Sequence, residues 1–294
     1  MENYSLQFAS DIHLEYFVPP FEQILTPKAQ DLALIGDIGS PYEPVYLDFL
    51  RWCAQRWGRV FVLAGNHEYF TKSPAEWNGT ERTLSTVDAQ IRKVCSAAGK
   101  NVIFLQEDAY FIEQHRIAVI GATLWTSPDL RRWDQLGPSV VGDGPGCRGD
   151  YADIYMRDEY TGKLRNAHPS DITRLNTQHS AVIRRFLNQD WGKIPEGWRV
   201  VVLTHHLPTK ALNPPEFANH PLNSCYACSM DDLFKKPVVA WLSGHSHRAR
   251  DLRIDTGCLL ALNPYGYKHE QGRTSYVQTS HIVVYPENIA ILRR

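Results

Sequence analysis

Short apolar runs that stop abruptly at polar residues and glycine recur along the chain. Residues 6–9 stop at Ser10-Asp11, residues 32–35 at Gly36-Asp37, and residues 60–64 at Gly65-Asn66-His67. Residues 200–203 stop at Thr204-His205-His206, and residues 238–242 at Ser243-Gly244-His245. Runs of this length, rich in β-branched residues and bounded by turn formers, predict buried strands. Further strands are predicted at 102–105, 117–120, 259–262, 281–285 and 289–292. Helical periodicity appears between several of them. Val45, Phe49, Leu50, Cys53 and Trp57 share one face. Val87, Ile91, Val94, Cys95 and Ala98 share another, with Gly99 in the C′ position. Ile172, Leu175, Val182, Ile183, Phe186 and Leu187 form a third, with Ser170 as its N-cap. Strands alternating with helices predict an α/β layered fold.

No repeat and no flexible linker divides the chain, so residues 1–294 read as one domain. The stretch 127–169 breaks the pattern. Its Gly-rich segment 142–149 fits no nucleotide-loop spacing, and the stretch reads as an irregular rim or lid. The Pro-rich residues 208–221 read as a second loop on the other side.

Composition narrows the class. The chain has 31 Lys+Arg against 32 Asp+Glu, which gives no basic excess for a nucleic-acid backbone. Its apolar runs fall far short of the ~20 residues that a membrane helix needs. No charged and apolar leader pattern opens the sequence, which predicts a cytoplasmic protein and gives the sequons at Asn3 and Asn78 little weight. Six cysteines are too sparse for a disulfide scaffold. Cys225-Tyr-Ala-Cys228 lacks a second ligand pair or a βαβ context, and reads as two loop thiols.

The chemistry gathers after the strands. Asp11-Ile-His13, Gly36-Asp37, Gly65-Asn66-His67, His205-His206 and Gly244-His245-Ser246-His247 each follow an apolar run. Taken singly, an Asp-x-His is a solvated pair and a Gly-Asp a turn. Taken together, they fit the rule that α/β sites form outside the carboxyl ends of strands. Mixed carboxylate, amide and imidazole donors without thiolate suit Mn²⁺, Fe or Zn²⁺. Seven donors exceed one tetrahedral ion, whereas a pair of ions ~3.5–4 Å apart with a shared carboxylate uses them well.

With D-x-H, GD, GNH(D/E), H and GH-x-H in this order from Asp11 to His247, the sequence resembles the calcineurin-like metallophosphoesterase superfamily. Ser10-Asp-Ile-His-Leu-Glu15, Thr204-His-His-Leu-Pro208, Pro221-Leu-Asn223 and Asn263-Pro-Tyr-Gly-Tyr267 resemble a bacterial- and fungal-type branch of it. The resemblance implies a four-layer αββα sandwich, two mixed sheets face to face with helices outside. It implies that Asp11, His13 and His247 hold one metal, Asn66, His205 and His245 a second, and that Asp37 bridges them. It implies that His67 is the catalytic imidazole, which leaves His206 facing the substrate. Several branches place an Asp three residues after the bridging Asp to orient that imidazole. Here the position is Ser40, which puts a His–Asp dyad in doubt and speaks against a protein-phosphatase reading.

The implied activity is hydrolysis of small phosphate monoesters or diesters, with two metal ions supplying hydroxide from water for in-line attack. Two other readings compete. A catalytically silent scaffold for protein partners would have lost ligands or the imidazole, and none is lost here. A nuclease of the same superfamily would want a basic stripe. Selectivity is expected from the loops, with His168, Asn223 and Tyr226 as candidate substrate contacts.

Overall fold

The computed structural model describes residues 2–71, 73–129, 149–188, 194–217 and 223–293. Strands β1 (Tyr4–Ala9), β2 (Asp31–Ile35), β3 (Val60–Leu63) and β4 (Val102–Phe104) run parallel in one sheet. The final hairpin, β13 (His281–Val284) and β14 (Ile289–Leu292), adds to β1 antiparallel, giving the order β14-β13-β1-β2-β3-β4. The second sheet has the order β11-β12-β10-β9-β6-β5. Here β6 (Ile117–Ala122), β9 (Arg199–Thr204), β10 (Val238–Ser243) and β12 (Leu259–Leu262) are parallel. Its antiparallel edges are β5 (Asp108–Ile112) and β11 (Arg250–Arg253).

The pleat explains how both sheets bury both faces. In β2, Ala33 and Ile35 join Phe61, Leu63, Val201, Leu203, Ala240 and Leu242 in the core between the sheets. A short helix α1 (Phe21–Ile24) precedes β2, and Leu32 and Leu34 point the other way, onto α2 (Pro44–Ala54) and α3 (Leu84–Ala98). Helix α2 presents Tyr46, Phe49, Leu50 and Cys53 to that layer, and α3 presents Val87, Ile91, Val94 and Cys95. The outer face of the second sheet, with Ala118, Ile120, Val200, Val202 and Trp241, packs on Ile183 and Phe186 of the helix Pro169–Leu187. Two mixed sheets face to face with helices outside are therefore the observed αββα architecture. No helix among the described residues is long and apolar enough to cross a membrane.

Three details differ from the sequence reading. The long helix Pro169–Leu187 starts two residues earlier, with His168 rather than Ser170 as its N-cap and Pro169 in the first position. Gly99 does close α3, but with φ 167°, an extended rather than a left-handed end. The excursion 127–169 is partly regular: a short helix α4 (Asp150–Asp153) leads into a hairpin of β7 (Tyr155–Arg157) and β8 (Leu164–Asn166). Residues 130–148, including Cys147 and most of the Gly-rich segment, lie outside the described residues, as does Pro221. With α4 counted, the helix Pro169–Leu187 is α5, and Asn223–Tyr226 forms α6.

Candidate metal centre

The strand ends of both sheets meet at one edge. The backbone ties them directly: Asp11 N donates to Gly36 O at 3.0 Å, His13 N to Asp37 O at 3.0 Å, and Gly244 N to His205 O at 3.0 Å. Asp11, His13, Asp37, His245 and His247 all hold left-handed backbone, with φ between 43° and 70°. That conformation is uncommon outside glycine and costs about 1 kcal/mol or more per residue. Its concentration at these strand ends marks a functional site. Gly65 permits the close approach, since a Cβ there would fall 2.2 Å from Asp37 Oδ1 and 2.7 Å from His205 Cε1.

Side chains of the seven predicted donors converge. Asp11, His13 and His247 form one set of facing ligand atoms, and Asp37, His205 and His245 form another; either could hold a metal ion. His205 Nε2 lies 3.1 Å from Asn66 Oδ1 and 3.3 Å from Asp37 Oδ2. His13 Nε2 lies 3.9 Å from the same Asp37 oxygen, so Asp37 stands between the two sets. Asp11 is fully buried, and its carboxylate accepts from His245 N at 3.0 and 3.1 Å, and from Ser10 Oγ.

Carboxylates behind the imidazoles set their tautomers. His13 Nδ1 is 3.0 Å from Glu15 Oε1, and His247 Nδ1 is 2.6 Å from Glu270 Oε2. Each Nδ1 therefore carries a proton, and each Nε2 is the nitrogen turned inward. Those two Nε2 atoms are 3.1 Å apart. Two lone pairs at that separation repel unless a proton or a cation lies between them, which is the donor chemistry of a metal site. His205 is fixed in the same way, with Nδ1 2.9 Å from Ile35 O. Asn66 Nδ2 donates to Asp150 Oδ1 at 2.9 Å, which aims its Oδ1 into the site. Glu68 is buried and accepts from Asp37 N, Ile38 N and Gly65 N at 2.9, 2.8 and 2.7 Å, clamping the ends of β2 and β3 together.

The missing Asp at Ser40 has a substitute. His67 Nδ1 lies 3.1 Å from Glu15 Oε1, the oxygen that also receives His13. Glu15, His13 and His67 form a third set with facing ligand atoms. Burial opposes ionisation of Glu15, but hydrogen bonds from His13 and His67 outweigh it and hold the carboxyl at about 2. Burial likewise disfavours a charged His67, yet Asp37 and Glu15 together raise its pKa above the ordinary histidine value. Sequence reasoning missed Glu15, Glu270, Asp150 and Tyr267 as parts of this centre. Glu15 carried a signal, two residues after His13 in Asp-x-His-x-Glu, and Tyr267 stood in the branch motif Asn263-Pro-Tyr-Gly-Tyr267, whereas Glu270 and Asp150 carried none.

The predicted substrate contacts divide. Tyr226 lies over the His245 ring with centroids 4.9 Å apart and is 37% exposed, so it belongs to the rim. The segment is held there by Leu207 N donating to Tyr226 O at 3.2 Å and Cys228 N to Leu207 O at 2.8 Å. His206 does not face an open site. It is fully buried, its Nδ1 is 3.3 Å from Thr123 O, and burial, with His205 adding to it, pushes its pKa down to about 3. Asn223 is buried on α6 and its Oδ1 accepts from Asn213 Nδ2 at 2.7 Å. His168 is exposed, and its ring accepts from Ser170 N at 3.3 Å in capping α5. Cys225, on α6, and the buried Cys228 are free, with thiols raised by burial to about 11 and about 12.

Comparison with known proteins supplies the family. The model described as calcineurin-like phosphoesterase matches residues 6–249. The chain is 27% identical over 285 residues to an uncharacterized protein of Acanthamoeba polyphaga mimivirus, covering 90% of this chain and 92% of that one. Among solved structures it is similar to the phosphopantetheinyl hydrolase of Mycobacterium tuberculosis. That likeness has a TM-score of 0.62, 18% identity and 91% coverage of both chains.

Proposed function

The chain belongs to the calcineurin-like phosphoesterase family and is a metal-dependent phosphoester hydrolase, and from that premise we propose that it uses a pair of transition-metal ions to hydrolyse small phosphate esters. The observation that carries the reading is the inward convergence of His13 Nε2 and His247 Nε2 at 3.1 Å, each with its Nδ1 tied to a carboxylate. Asp11, His13 and His247 would hold one ion, Asn66, His205 and His245 the other, with Asp37 available to both. Mn, Fe and Zn all suit this donor set. When bound there, such ions would supply a more acidic water and neutralise charge on a phosphoryl group. The protein's own residues orient and protonate. Glu15 fixes the His67 tautomer, so that His67 Nε2 faces the centre and can donate to the departing alkoxide.

Metal entry must displace protons. Burial disfavours a charged His247, but hydrogen bonds to Asp11 and Glu270 raise its pKa to about 10. Burial opposes charge on His205 also, and Asp37 overcomes it to give about 9. At pH 7 both rings hold an extra proton in the metal-free protein. Loading the pair releases about two protons, and apparent affinity climbs by up to about 100-fold per pH unit from pH 7 towards 9. Calorimetric titration with Mn²⁺ in buffers of different ionisation enthalpy counts those protons.

The substrate class is tested by stripping the protein, reloading it with Mn²⁺, Zn²⁺ or Fe, and assaying phosphomonoesters and diesters. A phosphopantetheinyl diester belongs in the panel because a structural neighbour is named for that group. Turnover of small esters with two ions bound supports the reading. A protein that binds metal yet turns over nothing is a scaffold, and preference for DNA over small diesters makes it a nuclease.

A further inference from the structure

The segment Asn263-Pro-Tyr-Gly-Tyr267 is seated on the metal loops by its backbone. Tyr265 N donates to Ser10 O at 2.9 Å, and Gly266 N donates to Asp11 O at 2.8 Å. Gly266 has φ +79°, a left-handed turn that throws the next side chain back over the site. That side chain is Tyr267. Its ring packs on His13 at 4.3 Å and His247 at 4.7 Å between centroids. Its N–H donates to Glu270 Oε2 at 2.9 Å, the oxygen that also receives His247. Its hydroxyl stands 3.2 Å from His67 Nε2.

We propose that Tyr267 is a positioning residue for His67, completing a Glu15–His67–Tyr267 chain in place of the dyad that Ser40 removes. The inference rests on the phosphoesterase reading above and adds a residue to it. Glu15 accepts from Nδ1 at 3.1 Å and fixes one side of the ring, and Tyr267 fixes the other. A hydroxyl both donates and accepts. It donates to Nε2 when His67 is neutral, and it accepts from Nε2–H when His67 is charged. The imidazole thus stays in one rotamer before and after it gives up a proton, and the leaving-group oxygen only has to displace one hydroxyl. A carboxylate in that place would hold the charged ring and repel the neutral one.

The test joins a spectroscopic and a kinetic readout. In metal-free, ¹⁵N-labelled protein, long-range ¹H–¹⁵N spectra give the two ring nitrogens of His67, assigned by their loss in His67→Ala. Tyr267→Phe should move the Nε2 resonance and leave Nδ1 protonated, whereas Glu15→Gln should move Nδ1. In reloaded protein Tyr267→Phe should keep its metal and its KM while kcat for alkyl phosphates falls about tenfold, the scale for an outer partner in a metal site. Its kcat for p-nitrophenyl phosphate should change little. His67 resonances identical in wild type and Tyr267→Phe overturn the proposal, as does one common slowing of every ester. Should the wild type hydrolyse no ester, the phosphoesterase reading fails, and the spectra still decide whether the hydroxyl holds His67.

Discussion

Asp37→Asn should remove most of the bound metal and lower kcat/KM by more than about 10³, at or beyond the upper end for loss of one electrostatic group in an active site. Asn is the informative replacement because it tolerates the left-handed backbone at this position, φ 54°, where Ala would add strain. It keeps the shape and removes the charge. Asp37 is buried between the two donor sets, and its Oδ1 accepts from His67 N at 2.8 Å. Its Oδ2 faces His205 at 3.3 Å and His13 at 3.9 Å. Loss of that charge therefore weakens both ions, whereas loss of a terminal donor weakens one. Asn66→Ala is the comparison, since Asn66 has ordinary φ of −83° and contributes one oxygen. Elemental analysis should find less metal in Asp37→Asn than in Asn66→Ala. Wild-type stoichiometry in Asp37→Asn contradicts the shared role.

His67→Ala should behave in the opposite way, with both ions retained and turnover of alkyl esters reduced by about 10²–10⁴. His67 lies outside the two sets centred on Asp37 and Asp11, and its Nδ1 is spent on Glu15 at 3.1 Å. What its removal takes away is the donor at Nε2. An alkoxide leaving group needs that proton and a nitrophenolate does not, so the loss should shrink to about tenfold or less for p-nitrophenyl esters. Equal losses for both classes would assign His67 to the phosphoryl oxygens instead. Steady-state kinetics on metal-matched samples separates the two.

The parts of the fold that were legible in the sequence are those buried on both sides. All five residues of β2 and all four of β3 are buried, so each reads as an unbroken apolar run that ends where the site begins. Edges hide better. β11 is Arg-Asp-Leu-Arg with every other residue exposed and shows no apolar run, and β5 opens with an exposed Asp108 and buries only Ile112 fully. The donors were legible because each directly follows a strand. Their partners were not: Glu270 reaches His247 across 23 residues and Glu15 reaches His67 across 52, distances that only tertiary structure closes. Ser40 put a His–Asp dyad in doubt, and the carboxylate beside His67 Nδ1 comes from another loop, Glu15 at 3.1 Å. His205 and His206 show the cost of adjacency. Both follow β9 in a bend and both rings pack on His245, at 5.2 and 4.3 Å between centroids, but His205 Nε2 meets Asn66 and Asp37 whereas His206 is buried against Trp125 with its Nδ1 on Thr123 O. His168 was taken for a loop residue because Pro169, as first helical residue, gave no periodicity of its own.

The central claim is a pair of ions held across Asp37, and anomalous diffraction from crystals of the Mn²⁺-loaded protein tests it most directly. The account predicts two anomalous peaks ~3.5–4 Å apart, one contacted by Asp11, His13 and His247, the other by Asn66, His205 and His245, with Asp37 touching both. A single peak, or a second one away from Asp37, would contradict it.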